Sequence, residues 1–218
     1  MAECHAAGYV NPASQHQLGQ RARTELESIR SSMIGQLGGS SRGMQTDTLI
    51  FTSGGTESNN LAVTGLALAN SERAKRVIIS PVEHPSVLGV ADYLKAHGFE
   101  VATVPVDRNG VCELDRLKEL LTEPTSLVSV QLANHETGVL QPIREIAKLC
   151  RDVGTLIHTD AVQAVGKIPV DFRELGVDAL TLTAHKFHGP RGIGGLLVCH
   201  GVTLQPMFFG GFLSLIHI

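Results

Sequence analysis

The sequence predicts an α/β domain, a mostly parallel β-sheet sandwiched by helices. Three observations predict it. Short β-rich runs alternate with stretches of helical period along the chain. Runs such as TLIF, RVIIS and LVSVQLA are apolar nearly throughout instead of alternating, the pattern of strands covered on both faces. Polar residues gather directly after those runs, where a parallel sheet has its carboxyl edge and where such sheets bind ligands.

The elements follow in order. From Ser14 to about Leu37, apolar Leu18, Ala22, Leu26, Ile29 and Met33 recur at the three-and-four spacing of an amphipathic helix, which the glycines of GQLGGSSRG end. Strands are expected at Thr48–Thr52, Arg76–Ser80, Glu100–Val104, Ser126–Leu132, Thr155–Thr159 and Ala179–Thr183. Helices are expected between them at Glu57–Ala69, Ser86–Ala96, Leu114–Leu121 and Ile143–Val153, with a short one near Ala161–Val165. Right-handed crossovers would join the parallel strands. No repeat, low-complexity tract or linker divides the chain, so one sizeable domain is expected.

Composition excludes several classes. The 218 residues are 43% hydrophobic, as in ordinary globular chains, and carry a formal net charge of −3 from 18 basic and 21 acidic residues. No basic run or aromatic-basic alternation occurs, which argues against nucleic acid as a partner. No apolar run reaches the ~18 residues a membrane span needs, and the amino terminus has no signal pattern, so a cytoplasmic chain is expected. Cys4, Cys112, Cys150 and Cys199 are scattered without a C-x-x-C pair, which reads as reduced, mostly buried thiols. Ten histidines raise the question of a metal, but H-x-x-x-H and H-E-x-x-H pairs are missing, and none is expected.

The residues after the strands carry the chemistry. SGGTES puts two glycines and two hydroxyl residues at a helix entrance, where free N–H groups and the helix dipole favour a phosphate. The plainer reading is a glycine turn with Thr56 or Ser53 as N-cap. It lacks the lysine of G-x-x-x-x-G-K-[ST] and does not match G-x-G-x-x-G, so nucleotide binding is disfavoured. Asp160 follows a strand and could cap a short helix or pair with a positive ring nitrogen. Lys186 follows the apolar run DALTLTA, so it is expected near buried surroundings, where desolvation lowers an amine's pKa and frees it to form an imine. The alternative is a solvated turn lysine. His84 in VEHPS is either a turn histidine or a flat ring lying against an aromatic group. A phosphate cradle, a stacking ring, an acid for a ring nitrogen and an amine for a carbonyl are together what pyridoxal phosphate requires.

These segments resemble the cysteine desulfurases of the class V aminotransferase group. FTSGGTESNN resembles that family's phosphate-binding segment, VEHPSVL its stacking-histidine segment and ANHETGVLQPI its central turn. HTDAVQAVGKIPVD is similar to its acid-bearing strand end, TAHKFHGPRGIGGLLV to its lysine loop, and NPASQHQLGQRAR to its N-P-S-S-x-H-x-x-G segment. The resemblance runs from about Gly8 to Gly211 and implies the large domain of a fold type I pyridoxal-phosphate enzyme. It implies that Lys186 bonds the cofactor aldehyde, that His84 stacks on the ring and helps move protons, that Asp160 pairs with the ring nitrogen and that Gln163 bonds the ring hydroxyl. Gly55, Thr56, Thr183 and His185 would hold the phosphate. His135 stands where the family has the second of two asparagines, and Thr183 where it often has serine.

The implied activity is conversion of L-cysteine to L-alanine with transfer of sulfur to an enzyme cysteine, then to an acceptor protein for iron-sulfur cluster or thio-cofactor assembly, in a homodimer. None of the four cysteines matches that nucleophile. Residues 1–211 are expected to form an incomplete cofactor-binding domain, 212–218 an off-pattern tail, with the small C-terminal domain absent. Selenocysteine lyase or another class V enzyme, and an inactive fold used for partner binding, are the alternatives.

Overall fold

The computed structural model describes residues 10–209. The expectations for Cys4, for the start of the resemblance at Gly8, for its end at Gly211 and for 212–218 lie outside the described residues.

Helix α1 (Gln17–Gln36) is capped by His16, whose side chain accepts from the Gly19 N–H. It is followed by β1 (Thr48–Thr52), α2 (Gly55–Ala69), β2 (Arg76–Ile79), α3 (Pro85–Ala96) and β3 (Glu100–Thr103). Then come α4 (Leu114–Leu120), β4 (Leu127–Ser129), α5 (Ile143–Asp152), β5 (Leu156–Asp160), α6 (Phe172–Leu175), β6 (Ala179–Thr183) and β7 (Gly194–Val198). The strands form one sheet in the order β1-β7-β6-β5-β4-β2-β3. All pairings are parallel except those of β7, which runs antiparallel to β1 and β6.

The sheet is covered on both faces, as its unbroken apolar runs predict. In β1 Leu49 packs on one face and Ile50 on the other, and in β2 Ile78 opposes Val77 and Ile79. One face meets Leu61, Leu66 and Val63 of α2 with Val87, Val90 and Leu94 of α3. The other meets Ile34 of α1, Leu117 of α4, Ile143, Ile146 and Cys150 of α5, and Phe172 of α6. Each fully buried Leu, Ile or Phe side chain favours folding by about 1.5–3 kcal/mol relative to an exposed one.

Four local expectations are corrected. Residues 161–165 form successive turns rather than a helix, because Gly166 takes a positive φ of 77° and stops the segment at one turn. The strand expected over Ser126–Leu132 is shorter, since pairing with β2 ends near Ser129, although Val130 and Leu132 still donate to His158 and Asp160 carbonyls. Strand β7 and helix α6 had no counterpart among the expected elements. Leu18 and Ile29 of α1 are exposed, whereas Arg30 is buried. The guanidinium of Arg30 lies 4.9 Å from the centre of the Phe51 ring, bonds the Leu49 carbonyl and pairs with Glu27, so its stem and charge take the sheet-facing position.

Candidate functional site

The carboxyl ends of β1, β5 and β6 converge with the turns after β2 and β4 on the first turn of α2. Gly54 is the N-cap of α2 and makes no side-chain capping bond. The cap expected of Thr56 or Ser53 is therefore not made. Glu57 instead reaches back, its Oε2 accepting from the Ser53 N–H at 2.8 Å and the Ser53 hydroxyl at 2.5 Å. The leading amides of α2 are left without a side-chain acceptor at the positive end of a 15-residue helix. Close packing explains the glycines: a Cβ on Gly194 would lie 2.6 Å from the Gly54 carbonyl carbon, and one on Gly55 would lie 3.0 Å from Val162 Cγ2. The small residues let β7, the glycine turn and the Asp160 loop meet.

Asp160 ends β5 and is 7% exposed. Its Oδ1 accepts from the Val162 N–H at 2.9 Å and its Oδ2 from Asn59 Nδ2 at 2.7 Å. Burial raises its pKa, against the opposing effects of these two bonds and of His84 and His135. Two residues earlier on the same face of β5, His158 is fully buried between Ser129 Oγ at 2.9 Å and Thr181 Oγ1 at 3.0 Å. Burial lowers its pKa to about 3, so this polar bridge across β4, β5 and β6 is neutral.

His84 is the N-cap of α3, with Pro85 at the first helical position. Its Nδ1 accepts from the Ser86 N–H at 3.1 Å and lies 2.8 Å from Ser86 Oγ. The His84 ring meets His135 edge-on, centroids 5.5 Å apart and planes at 69°. His135 lies within the turn in which Asn134 Oδ1 accepts from the N–H groups of Glu136 and Thr137. Beneath His84, Glu83 is 3% exposed, accepts from the Gln131 N–H at 2.8 Å through Oε1, and leaves Oε2 without a partner. Burial pushes its carboxyl well above the ordinary range.

After β6 the chain turns through a short 3₁₀ segment, Ala184–Phe187. Thr183 is 1% exposed, and its Oγ1 lies 3.2 Å from His185 Nδ1. His185 and Lys186 are exposed. Lys186 is itself exposed, as the solvated-turn reading has it, because the 3₁₀ turn lifts it off the sheet end and His188 reverses the chain at a φ of 67°, yet it lines a pocket beside buried Asp160 and Thr183. Gln163 is half-buried, and its Oε1 accepts from Lys167 Nζ.

All nine residues singled out in the sequence, Gly55, Thr56, His84, His135, Asp160, Gln163, Thr183, His185 and Lys186, line one pocket of about 210 Å³. Sequence reasoning missed Asn59, Ser86 and Gln131 in the same lining. Asn59 was findable: it lies three residues after Thr56, one helical turn along the face that Thr56 presents. Cys112 and Cys150 are buried with their thiols pushed up to about 11 and about 12, Cys199 is half-buried, and none of the three lines the pocket. Among the described residues no cluster of His, Cys, Asp and Glu could hold a metal ion, and no helix is long and apolar enough to cross a membrane.

A mostly parallel sheet covered on both faces, with a pocket lined by polar residues outside its carboxyl edge, defines an α/β protein whose pocket lies where sheets of this kind take their ligands. The chain belongs to the aminotransferase class-V family, whose model matches residues 1–216. It is 45% identical over 203 residues to the cysteine desulfurase IscS of Dictyoglomus turgidum, covering 93% of this chain and 50% of that protein. It is 42% identical to the cysteine desulfurase NifS of Azotobacter vinelandii, covering 93% and 49%. A solved NifS-like protein superposes with a TM-score of 0.86 at 39% identity, covering 93% of this chain and 55% of that one. The chain thus spans about half the length of the curated relatives it matches.

Proposed function

We propose that this chain is the pyridoxal-phosphate-binding part of a cysteine desulfurase, a domain spanning residues 1–211. The observation that carries the reading is the meeting of Gly55, Thr56, His84, Asp160 and Lys186 around one pocket. The lining fits such a cofactor. The amino end of α2 has no side-chain cap, which suits a phosphate. Asn59 Oδ1 is buried without a hydrogen-bond partner in a residue that lines the pocket, so the lining has a spare acceptor for a polar ligand group.

Bound there, pyridoxal phosphate would supply an electron sink for cleavage at the substrate α-carbon. Gly55 and Thr56 would hold its phosphate through the α2 amides, with Thr183 and His185 adding polar contacts. Asp160 would stabilise a protonated ring nitrogen, and burial would strengthen that interaction. His84 would lie against the ring, Gln163 would bond its hydroxyl, and His135 would offer one hydrogen bond in place of an amide. Lys186 would hold the cofactor covalently and, when displaced by the amine of L-cysteine, carry a proton at Nζ. The whole protein would then pass sulfur through an enzyme cysteine to an acceptor protein, as a cytoplasmic homodimer.

The test is a titration of pyridoxal phosphate into the 218-residue protein, followed by visible absorbance. Saturable binding with a shifted band, lost in Lys186→Ala, is expected. Binding indistinguishable between the wild type and Lys186→Ala would overturn the reading.

A further inference from the structure

The contacts around Asn59 and Ser86 fix where the protons sit on the His84 side of the pocket. The Ser86 backbone N–H can only donate, and it points at His84 Nδ1 from 3.1 Å. Nδ1 of the neutral ring therefore presents its lone pair. Ser86 Oγ lies 2.8 Å from the same nitrogen, so its hydroxyl proton is also directed there. With that proton used, Oγ can only accept from its other neighbour, Asn59, and the atom facing it at 2.9 Å is the amide nitrogen Nδ2. The amide nitrogen has a second proton, and 2.7 Å away stands Asp160 Oδ2. Asn59 Oδ1 is left without a partner.

We infer that Asn59 and Ser86 form a positioning relay that holds neutral His84 as its Nε2–H tautomer and ties that ring to the Asp160 carboxylate. Asn59 is the branch point, donating one proton toward each end. The relay joins α2, the first turn of α3 and the tip of β5, segments 27 and 101 residues apart in the chain. It is nearly dry: Asn59 is 1% and Ser86 9% exposed. A second tie keeps the helices in register, since Asn60 Nδ2 donates to the Thr56 carbonyl at 2.9 Å and the Ser86 carbonyl at 3.2 Å. Within the proposed cofactor reading, on which its chemical use rests, the relay makes Nε2 and not Nδ1 the His84 atom that can give a proton to a ligand. It also favours a charged Asp160, because an ionised carboxylate accepts both the Asn59 and the Val162 bonds.

The experiment is long-range ¹H–¹⁵N correlation of histidine side chains in the labelled 218-residue protein without cofactor, with His84 assigned by its loss in His84→Gln. The wild type should show a non-protonated Nδ1 and a protonated Nε2. Ser86→Ala and Asn59→Ala keep the residue-86 backbone N–H and remove or loosen only the hydroxyl donor, so they should move the Nδ1 resonance part of the way toward the average of the two tautomers, and Ser86→Thr should restore it. Asn59→Ala should also weaken pyridoxal phosphate binding about tenfold, the loss of one hydrogen bond to a charged group. Circular dichroism checks that each variant is folded, and if Asn59→Ala is not, the Ser86 pair decides. A protonated Nδ1 in the wild type, or tautomer signals unchanged in folded Ser86→Ala, would overturn the relay. Failure of the wild type to bind pyridoxal phosphate while the tautomer pattern holds would sink the cofactor reading and leave the relay standing.

Discussion

The two sides of the pocket are built differently. On one side Asp160, Asn59, Ser86 and Thr183 are buried, and each makes at least one side-chain hydrogen bond to another element or turn. On the other side Lys186 and His185 ride on a four-residue 3₁₀ turn in contact with solvent. The buried side is part of the sheet core and the lysine turn is an appendage of it. Changes to the first should disturb fold and ligand together. Changes to the second should disturb the ligand alone.

Deleting the lysine is the sharpest probe. Lys186→Ala should abolish borohydride-fixed attachment of pyridoxal phosphate while changing stability by no more than about 0.5 kcal/mol, as exposed substitutions do. A marked fall in its denaturation midpoint would break the contrast. On the buried side, Asp160→Ala should weaken binding about a hundredfold, measured by absorbance titration, since it strands a positive ring nitrogen without its acid. Gly194→Ala should cost about 1–3 kcal/mol in urea unfolding, because the added methyl meets the Gly54 backbone at 2.6 Å.

A smaller effect comes from pH. The carboxyl of Glu83 has a folded pKa raised by burial, so the folded state holds its proton more tightly than the unfolded state. Its contribution is fully present below the ordinary glutamate range and is lost as the pH rises toward the raised folded value, with a slope of at most about 1.4 kcal/mol per pH unit. Asp160 adds a slope of the same sign. Glu83→Gln should flatten the wild-type decline, and an identical stability profile for the two proteins would show that Glu83 is not held protonated. The smallest change is expected from His135→Asn, which replaces one hydrogen-bonding group at the exposed rim by another and should alter binding less than threefold.

How much of this was legible in the sequence follows from the same contrast. The sheet was readable because both its faces are covered, so its strands are continuous apolar runs in TLIF, RVII and ALTLT. Strand β7 was not, since GGLLV opens with two glycines, whose use is to admit the glycine turn and the side chains of Leu49 and Leu182 rather than to favour a strand. All the singled-out site residues met at one pocket because each ends a strand, lies in the turn after one or opens the helix that follows. The exposure of Lys186 was left open between two readings, since an apolar run reports burial of the strand and says nothing of a 3₁₀ turn that leaves its end. Asn59 and Ser86 escaped notice because their importance lies in bonds across 101 and 27 residues. The buried Arg30 escaped it because a cation over an aromatic ring is not an apolar stripe.

The central claim is that one pocket at the strand tips grips pyridoxal phosphate with Lys186 as its covalent anchor. Mass spectrometric mapping after the protein is mixed with pyridoxal phosphate and reduced with borohydride tests it most directly. The account predicts a single modified peptide carrying the label on Lys186. A label spread over exposed lysines such as Lys95 and Lys148, with none preferred, would contradict it.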